Sequence, residues 1–230
     1  MSVSCAGIVI SSEVEKSVYS IMLSPTDPQT VENQKIRNVL DFMDRHGIKY
    51  VLYTHPSLYT IDEALKYWDG IESVHCKNLF FRNHKGNRHY LVVIECHKDF
   101  DIHSFEHRMK EGKMSFASAG RMERCLGLLP GSVSPLGLIH DMIPAEGAQE
   151  VELAGSDGST HAVKAVPGAS PKELFPNGHR VKLFLDKDLQ NAPKLSFHPC
   201  DNTASVIVPN GDFMRFLSIW GGDYEWIDVE

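Results

Sequence analysis

The chain has 230 residues, which suits one large domain or one domain with an added segment. Its 42% hydrophobic and 23% charged residues are ordinary for a globular protein and argue against intrinsic disorder. A net charge of −7 does not favour a general nucleic-acid binder, although a local basic face could still bind RNA. Five cysteines without a CxxC pair argue against zinc fingers and disulfide scaffolds and fit a reducing compartment. No apolar run approaches the roughly 20 residues of a membrane span, so we expect a cytoplasmic protein.

Residues 1–29 differ in character from the rest of the chain. The apolar run Ala6–Ile10 has no basic region before it, which argues against a secretory signal, and Glu13 and Glu15 argue against a mitochondrial presequence. We therefore predict an N-terminal extension over 1–29, either loosely ordered or laid onto a main domain that covers 30–230.

The first half of the main domain mixes helices and strands. Ile36, Val39, Leu40 and Met43 fall at helical spacing, and Gly47 ends that run. After a strand-like segment at 49–54, a capping box formed by residues 60 and 63 predicts a helix that runs to about residue 68. Strand-like runs at 78–83 and 89–95 flank a hairpin turn, and helices are expected at 104–111 and 119–126.

The second half begins with a polar, glycine-rich insertion at 145–178, which we interpret as a hairpin or a long surface loop. Strands are expected at 181–185, 194–197 and 205–208. A last helix at 211–219 should carry Phe213, Phe216 and Leu217 inward. The mixture of hairpins and helices favours an α+β fold, with a mixed, largely antiparallel sheet or partial barrel and flanking helices.

Two short motifs carry the most chemical information. Lys77-Asn78 places an amine and an amide at the start of an apolar strand, and Gly131–Pro135 is a small-residue loop whose backbone can approach a ligand closely. A cation beside backbone N–H donors can hold an ester carbonyl or a phosphate. Taken singly, each motif has an ordinary alternative: a lysine that extends its ammonium into solvent at a strand end, and a tight turn.

A basic patch is predicted on the first hairpin. Arg82, Lys85 and Arg88 lie close in sequence to His84 and His89. This patch could face RNA phosphates or could simply be solvated.

Other catalytic arrangements are weakly supported. His103 and His107 stand four residues apart but lack the glutamate of an HExxH motif, so a solvated helix face is the better interpretation. In the pairs His75-Cys76 and Cys96-His97, neighbouring residues of a strand point to opposite faces and cannot act together. The chain also lacks the GxSxG motif of a serine hydrolase elbow.

Residues from about 30 to 220 resemble the YbaK/prolyl-tRNA synthetase-associated domain family of aminoacyl-tRNA editing deacylases. Within that family, the resemblance is strongest to the free-standing ProX/PrdX branch. The resemblance rests on the order of eight segments, namely 54–56, 77–82, 90–93, 115–118, 126–128, 131–138, 183–189 and 197–203. The chain departs from that branch at the N-terminal extension, at the insertion and at His140, where the pattern leads us to expect asparagine.

The resemblance implies an enzyme that hydrolyses the ester between alanine and the 3′-terminal adenosine of tRNA(Pro). It implies no cofactor and no metal. The expected partners are the acceptor end of tRNA(Pro) and prolyl-tRNA synthetase, with no DNA and no membrane. Two alternatives stay open: removal of another amino acid, such as cysteine or serine, and a non-catalytic module that binds tRNA or a synthetase.

The resemblance also suggests residue roles. Lys77 would anchor the terminal phosphate or the aminoacyl group, Asn78 would orient the ester or a water molecule, and His198 would line the amino-acid pocket. Backbone amides from Gly131 to Ser134 would face the carbonyl oxygen, which makes Gly131, Ser132 and Ser134 candidate catalytic residues. The remaining candidates for substrate binding are Ser118, Asp201, His55, Tyr59 and Arg82. The ordinary alternatives are a helix cap for Ser118 and an Asx turn for Asp201.

Overall fold

The computed structural model describes residues 24–58, 60–110, 112–142 and 170–229. Most of the predicted extension and most of the predicted insertion therefore lie outside the described residues. The helices in the described part are α1 Gln34–Arg45, α2 Ile61–Trp68, α3 Ile102–Met109, α4 Ala119–Leu126, α5 Pro171–Leu174 and α6 Asn210–Trp220. The strands are β1 Val51–Thr54, β2 Val74–Arg82, β3 His89–Glu95, β4 Ser115–Phe116, β5 Val181–Asp186, β6 Lys194–Phe197, β7 Ala204–Pro209 and β8 Tyr224–Ile227.

The strands form one open, mixed sheet in the order β1-β7-β6-β2-β3-β5-β8, with β4 paired to β2 off this path. Four pairings are antiparallel, β1·β7, β2·β3, β2·β4 and β6·β7. The other three, β2·β6, β3·β5 and β5·β8, are parallel. The predicted α+β class is confirmed, and of the two sheet shapes expected, the structure has the open sheet.

Short sequence patterns predicted the positions of most helices and strands correctly. The Thr60 hydroxyl accepts from Glu63 N, and the Glu63 side chain accepts from Thr60 N, so the predicted capping box begins α2. The prediction for β2 was less accurate, because the strand begins at Val74 and not at residue 78. Val74 and His75 pair in parallel with residues of β6 that lie 121 positions further along the chain, and no local sequence pattern predicts this pairing. Lys77 consequently lies inside the strand and not at its start.

The sheet is covered on both faces. On one face Phe80, Leu91 and Val93 join the main apolar cluster, which also contains the inward side chains of α6 that were predicted. On the other face Phe81 and Val92 belong to a second cluster under α3. Because β3 is buried on both faces, its sequence is a continuous apolar run and does not alternate.

The described ends of the two predicted peripheral segments both touch this domain. Thr26 N donates to Leu52 O at 2.7 Å, so Thr26 lies beside β1. At the end of the predicted insertion, α5 packs against α6, and Leu174 and Phe175 are buried.

Candidate active site

Strand β2 is only partly paired along one of its two edges. On that edge β2 pairs with β6 only at Val74 and His75, and with β4 only at its last two residues. Between these two contacts, none of the strands in the described part of the chain pairs with this edge of β2. The result is a gap in the sheet that spans residues 76 to 80.

The backbone of Asn78 faces this gap. The carbonyl of His75 accepts from Cys96 N on the β3 side, whereas the carbonyl of Phe80 accepts from Ala117 N on the opposite side. Since backbone groups alternate in direction along a strand, the N–H and C=O of Asn78 point the same way as those of Phe80. An unpaired stretch of backbone thus forms one wall of the gap.

A cavity of about 200 Å³ lies at the gap and brings four of the predicted site residues together, Lys77, Asn78, Gly131 and His198. Lys77 and Asn78 are consecutive in a strand, so their side chains leave opposite faces of the sheet. Both can line one cavity because the cavity lies at an open edge. Lys77 is half-buried, and its ammonium makes no hydrogen bond or ion pair with the described residues.

Asn78 ties β2 to the glycine loop. Its Nδ2 donates to Val133 O at 3.0 Å, and its Oδ1 is buried without a partner among the described residues. Gly131 adopts a φ of 88°, a left-handed conformation that favours glycine and lets the loop turn toward β2. Val133 also lines the cavity.

The two loop serines lie differently from the prediction. Ser132 N donates to Leu129 O at 3.1 Å, so this amide already belongs to a turn. Ser134 is fully buried, and its Oγ accepts from Leu136 N to cap the short helix at 135–140. Neither residue is among those that line the cavity, whereas Gly131 and Val133 of the same loop are.

His198 lines the cavity, and among the described residues only its Nδ1 has a hydrogen-bond partner. Its Nδ1 lies 2.8 Å from Ala204 O, and since a carbonyl only accepts, Nδ1 carries the hydrogen. Burial lowers the pKa of His198, an effect that the carbonyl contact and Asp201 only partly oppose, so the ring is neutral near pH 7. Nε2 is then an acceptor.

His55 contacts residues that line the cavity without lining it. Its ring lies 6.0 Å from that of His198. His55 Nε2 is 2.9 Å from Ser205 Oγ, which also accepts from Trp68 Nε1 at 3.4 Å. Through Ser205, His55 therefore positions Trp68, which does line the cavity.

Three further candidates lie away from the cavity, and Tyr59 lies outside the described residues. Asp201 Oδ1 accepts from Thr203 N at 3.0 Å, which is the Asx turn foreseen as its alternative role. Ser118 is exposed at the start of α4 and makes no side-chain cap. Arg82 Nη1 donates to two carbonyls of its own hairpin turn.

Sequence reasoning missed the wall that α2 provides. Leu58, Ile61, Ala64 and Trp68 line the cavity opposite the glycine loop. The helical spacing of the last three was a usable signal, because it puts them on one face of α2. Trp68 is fixed further by stacking on His75, with ring centroids 4.1 Å apart and an interplanar angle of 3°.

The thiols near this site are held in their protonated form. Cys76 lines the cavity, and burial raises its pKa well above the usual range. Ligand atoms of Glu95, Cys96 and His97 lie within 4.8 Å of one another, but burial, followed by the Glu95 contact, raises the pKa of Cys96 to about 12. A thiol with so high a pKa is a poor nucleophile and a poor metal ligand.

The predicted basic hairpin needs one correction. His89 is buried, and its pKa falls to about 4, first through burial and then through Arg121, Arg180 and Arg124. His89 is therefore uncharged near pH 7 and adds nothing to the positive surface. The sequence pattern could not reveal this, because the three arginines come from other parts of the chain.

Comparison with known proteins gives a consistent result. Residues 55–146 match the model of a family described as the aminoacyl-tRNA editing domain. The chain is 29% identical over 193 residues to the prolyl-tRNA editing protein ProX of Acetoanaerobium sticklandii, an alignment that covers 83% of this chain and 95% of that protein. It is 24% identical over 179 residues to the mouse prolyl-tRNA synthetase associated domain-containing protein 1, with 77% and 86% of the two chains covered.

The fold also matches solved structures. A crystal structure of a candidate trans-editing enzyme for prolyl tRNA synthetase aligns with a TM-score of 0.54 at 17% sequence identity. That alignment covers 87% of this chain and 99% of the other, so the shared fold extends well beyond the segment that the family model matches. In the described part of the chain, none of the helices combines the length and the apolar character that crossing a membrane requires.

Proposed function

Because residues 55–146 match the aminoacyl-tRNA editing domain model and most of the chain aligns with a ProX editing protein, we propose that it is a trans-editing deacylase that hydrolyses mischarged Ala-tRNA(Pro). The name of the ProX relative supports the tRNA class. The observation that carries the proposal is the single cavity at the gap in the sheet, which is lined by Lys77, Asn78, Gly131 and His198.

The need for such an activity follows from the limits of size discrimination. A synthetase pocket built for proline cannot strongly exclude a smaller amino acid, since a missing methylene changes selectivity by only about 10- to 200-fold. A second site that admits alanine and rejects proline restores accuracy. The apolar α2 wall, with Ala64 buried in it, supplies a rigid boundary of this kind.

The reaction requires the protein to position the ester and the attacking water, and it needs no side-chain nucleophile. A water molecule, assisted by the neighbouring ribose hydroxyl, attacks the ester carbonyl. As the tetrahedral intermediate forms, charge develops on the carbonyl oxygen, and the amides of Gly131 and Val133 stabilise it. The intermediate then collapses with cleavage of the bond between the acyl carbon and the ribose oxygen, which takes up the proton that the attacking water loses. The Lys77 ammonium, which has no carboxylate within 4.0 Å among the described residues, holds the terminal phosphate or the aminoacyl group.

Two acceptors recognise the rest of the substrate. Nε2 of His198 accepts a hydrogen bond from the α-ammonium of the amino acid, which a neutral imidazole can do and an imidazolium cannot. The unpartnered Oδ1 of Asn78 accepts from the ribose hydroxyl or from the attacking water. Each of these groups acts by holding the ester in a reactive geometry.

The test is hydrolysis of tRNA(Pro) charged with alanine, serine, cysteine or proline. We expect rapid loss of alanine and little loss of proline. The Lys77→Ala variant should lose most of the activity, and Lys49→Ala, which removes an exposed lysine beside β1, should lose none.

The possible outcomes separate the parts of the proposal. No acceleration with any of the four charged tRNAs would overturn the deacylase function. Faster hydrolysis of the seryl or cysteinyl ester than of the alanyl ester would retain the reaction and change the substrate. Full activity in Lys77→Ala would remove the role assigned to Lys77.

A further inference from the structure

Arginines from three parts of the chain surround His89. We call Arg88, Arg121, Arg124 and Arg180 the arginine surface; they lie on the β2–β3 hairpin, on α4 and at the start of β5. Arg121 Nη1 donates to His89 Nε2 at 3.0 Å and to Gly86 O at 2.6 Å, which fixes α4 against the hairpin. Arg88 and Arg124 are exposed.

A second cavity, of about 540 Å³, opens beside these residues. Arg88, Arg180 and Lys182 line it, together with Asp223. Lys182 is already paired with Glu225 at 3.0 Å. The cavity lies at the N-terminal ends of β3 and β5, on the half of the sheet away from β1 and β7.

Three of these arginines lack an ion pair with the residues that the structure describes. Among the described residues, no carboxylate lies within 4.0 Å of the guanidinium groups of Arg121, Arg124 and Arg180. This is notable in a chain with a net charge of −7. His89 is neutral chiefly because it is buried, and the charges of Arg121, Arg180 and Arg124 lower its pKa further.

One segment of chain connects this surface to the candidate active site. The helix α4, which carries Arg121 and Arg124, ends at Gly127 and leads directly into the loop with Gly131 and Val133. A polyanion held on α4 would therefore lie on the same structural unit as the residues that face the ester.

We propose that the arginine surface binds the phosphate backbone of the tRNA acceptor stem while the 3′ end enters the smaller cavity. This inference rests on the proposed function, since that function supplies an RNA partner. Guanidinium groups bind phosphates through paired N–H donors. Arg124, which has no carboxylate partner among the described residues, gives up no ion pair when it does so.

The test measures binding and not hydrolysis. An uncharged acceptor-stem minihelix of tRNA(Pro) is titrated at several salt concentrations with the full chain, with Arg88→Gln/Arg124→Gln and with the matched control Lys49→Gln/Lys194→Gln. The control removes the same number of exposed positive charges from the β1–β7–β6 side of the sheet. A third variant, Arg88→Lys/Arg124→Lys, retains the charge.

We expect the arginine-to-glutamine variant to bind about tenfold more weakly at 0.1 M salt and to lower the salt slope by about one for each phosphate that the protein no longer binds. The control Lys49→Gln/Lys194→Gln should leave the affinity and its salt dependence unchanged. The charge-retaining variant Arg88→Lys/Arg124→Lys should keep most of the salt dependence. Equal effects of the two glutamine variants, or no measurable binding by the unmodified chain, would overturn the inference. A normal salt response without any deacylation would instead remove the proposed function and leave this surface standing.

Discussion

Asn78 joins strand β2 to the loop after α4 through a hydrogen bond of 3.0 Å from its Nδ2 to Val133 O. The two residues are 55 positions apart in the sequence. The other end of the same side chain, Oδ1, is buried without a partner among the described residues. Asn78 thus ties the glycine loop to β2 and keeps one acceptor without a described partner.

Replacing Asn78 should affect catalysis more than stability. We expect Asn78→Ala to lower kcat/KM for Ala-tRNA(Pro) by at least about tenfold, because the glycine loop loses its tether and the substrate loses an acceptor. The cost in free energy of unfolding should be about 1 kcal/mol, the value of one neutral hydrogen bond. Steady-state deacylation and urea unfolding measure the two effects.

A matched control is available on α1. Asn38→Ala removes an amide that accepts from Gln34 Nε2 at 2.8 Å, away from the cavity. Its deacylation rate should equal that of the unmodified chain. If Asn78→Ala and Asn38→Ala gave the same kinetics, Asn78 would have no role in the reaction.

Ala64 should control the space available to the amino acid. It is 3% exposed and faces the cavity from α2. Ala64→Val adds two methyl groups, which should lower hydrolysis of Ala-tRNA(Pro) severalfold and leave binding of the uncharged minihelix unchanged. Overpacking should cost about 1–3 kcal/mol of stability, so rates are compared at a temperature where both proteins are folded. Lys66→Val, on the exposed side of α2, should leave the rate unchanged; equal losses in both variants would point to a general effect on the helix.

Acid should destabilise the protein partly through His89. Its pKa is about 4 in the folded chain and 6.5 in the reference state, because burial and the neighbouring arginines disfavour the charged ring. Between pH 6.5 and 4 the unfolded chain binds a proton that the folded chain does not, so stability is full above this range and falls as the pH drops through it. We therefore expect the loss of Tm between pH 7 and pH 5 to be smaller in His89→Gln, which keeps an acceptor for Arg121.

The comparison for this pH effect is His84→Gln on the same hairpin, where the side chain is exposed. Its Tm should follow the pH curve of the unmodified chain. His75, whose pKa also falls to about 4, chiefly through burial, leaves a remaining slope in every variant. A pH curve for His89→Gln as steep as the original would show that His89 does not titrate in this way.

Two glycines, one inside α4 and one directly after it, should respond in opposite directions to substitution by alanine. Gly127 has a φ of 65°, and a Cβ there would lie 2.6 Å from His140 Cδ2, so Gly127→Ala should lower the free energy of unfolding by roughly 1–3 kcal/mol. At Gly120 nothing lies within 4 Å of a built Cβ, so Gly120→Ala should raise it by up to about 1 kcal/mol. Urea unfolding measures both, and the same sign for the two would contradict the role of the left-handed turn.

The correct predictions concern features encoded by neighbouring residues. The capping box at Thr60 and Glu63, the helical spacing in α1 and α6, and the hairpin between β2 and β3 all depend on groups a few positions apart. The start of β2 was misplaced because it depends on a distant strand. The hydrogen bonds of Ser132 N to Leu129 O and of Leu136 N to Ser134 Oγ lie inside the loop, and no local pattern indicated them.

By itself, the sequence determined the fold class, most of the helices and strands, and the residues Lys77, Asn78, Gly131 and His198 as candidates for one site. Only the tertiary structure decided that these residues meet at a gap in the sheet, that α2 forms the facing wall, and that His89 is neutral among arginines. The gap exists because β2 pairs with β6 for two residues and with β4 for two others. Local side-chain patterns specify a strand and its faces, but the strand that lies beside it is chosen by packing across the whole domain.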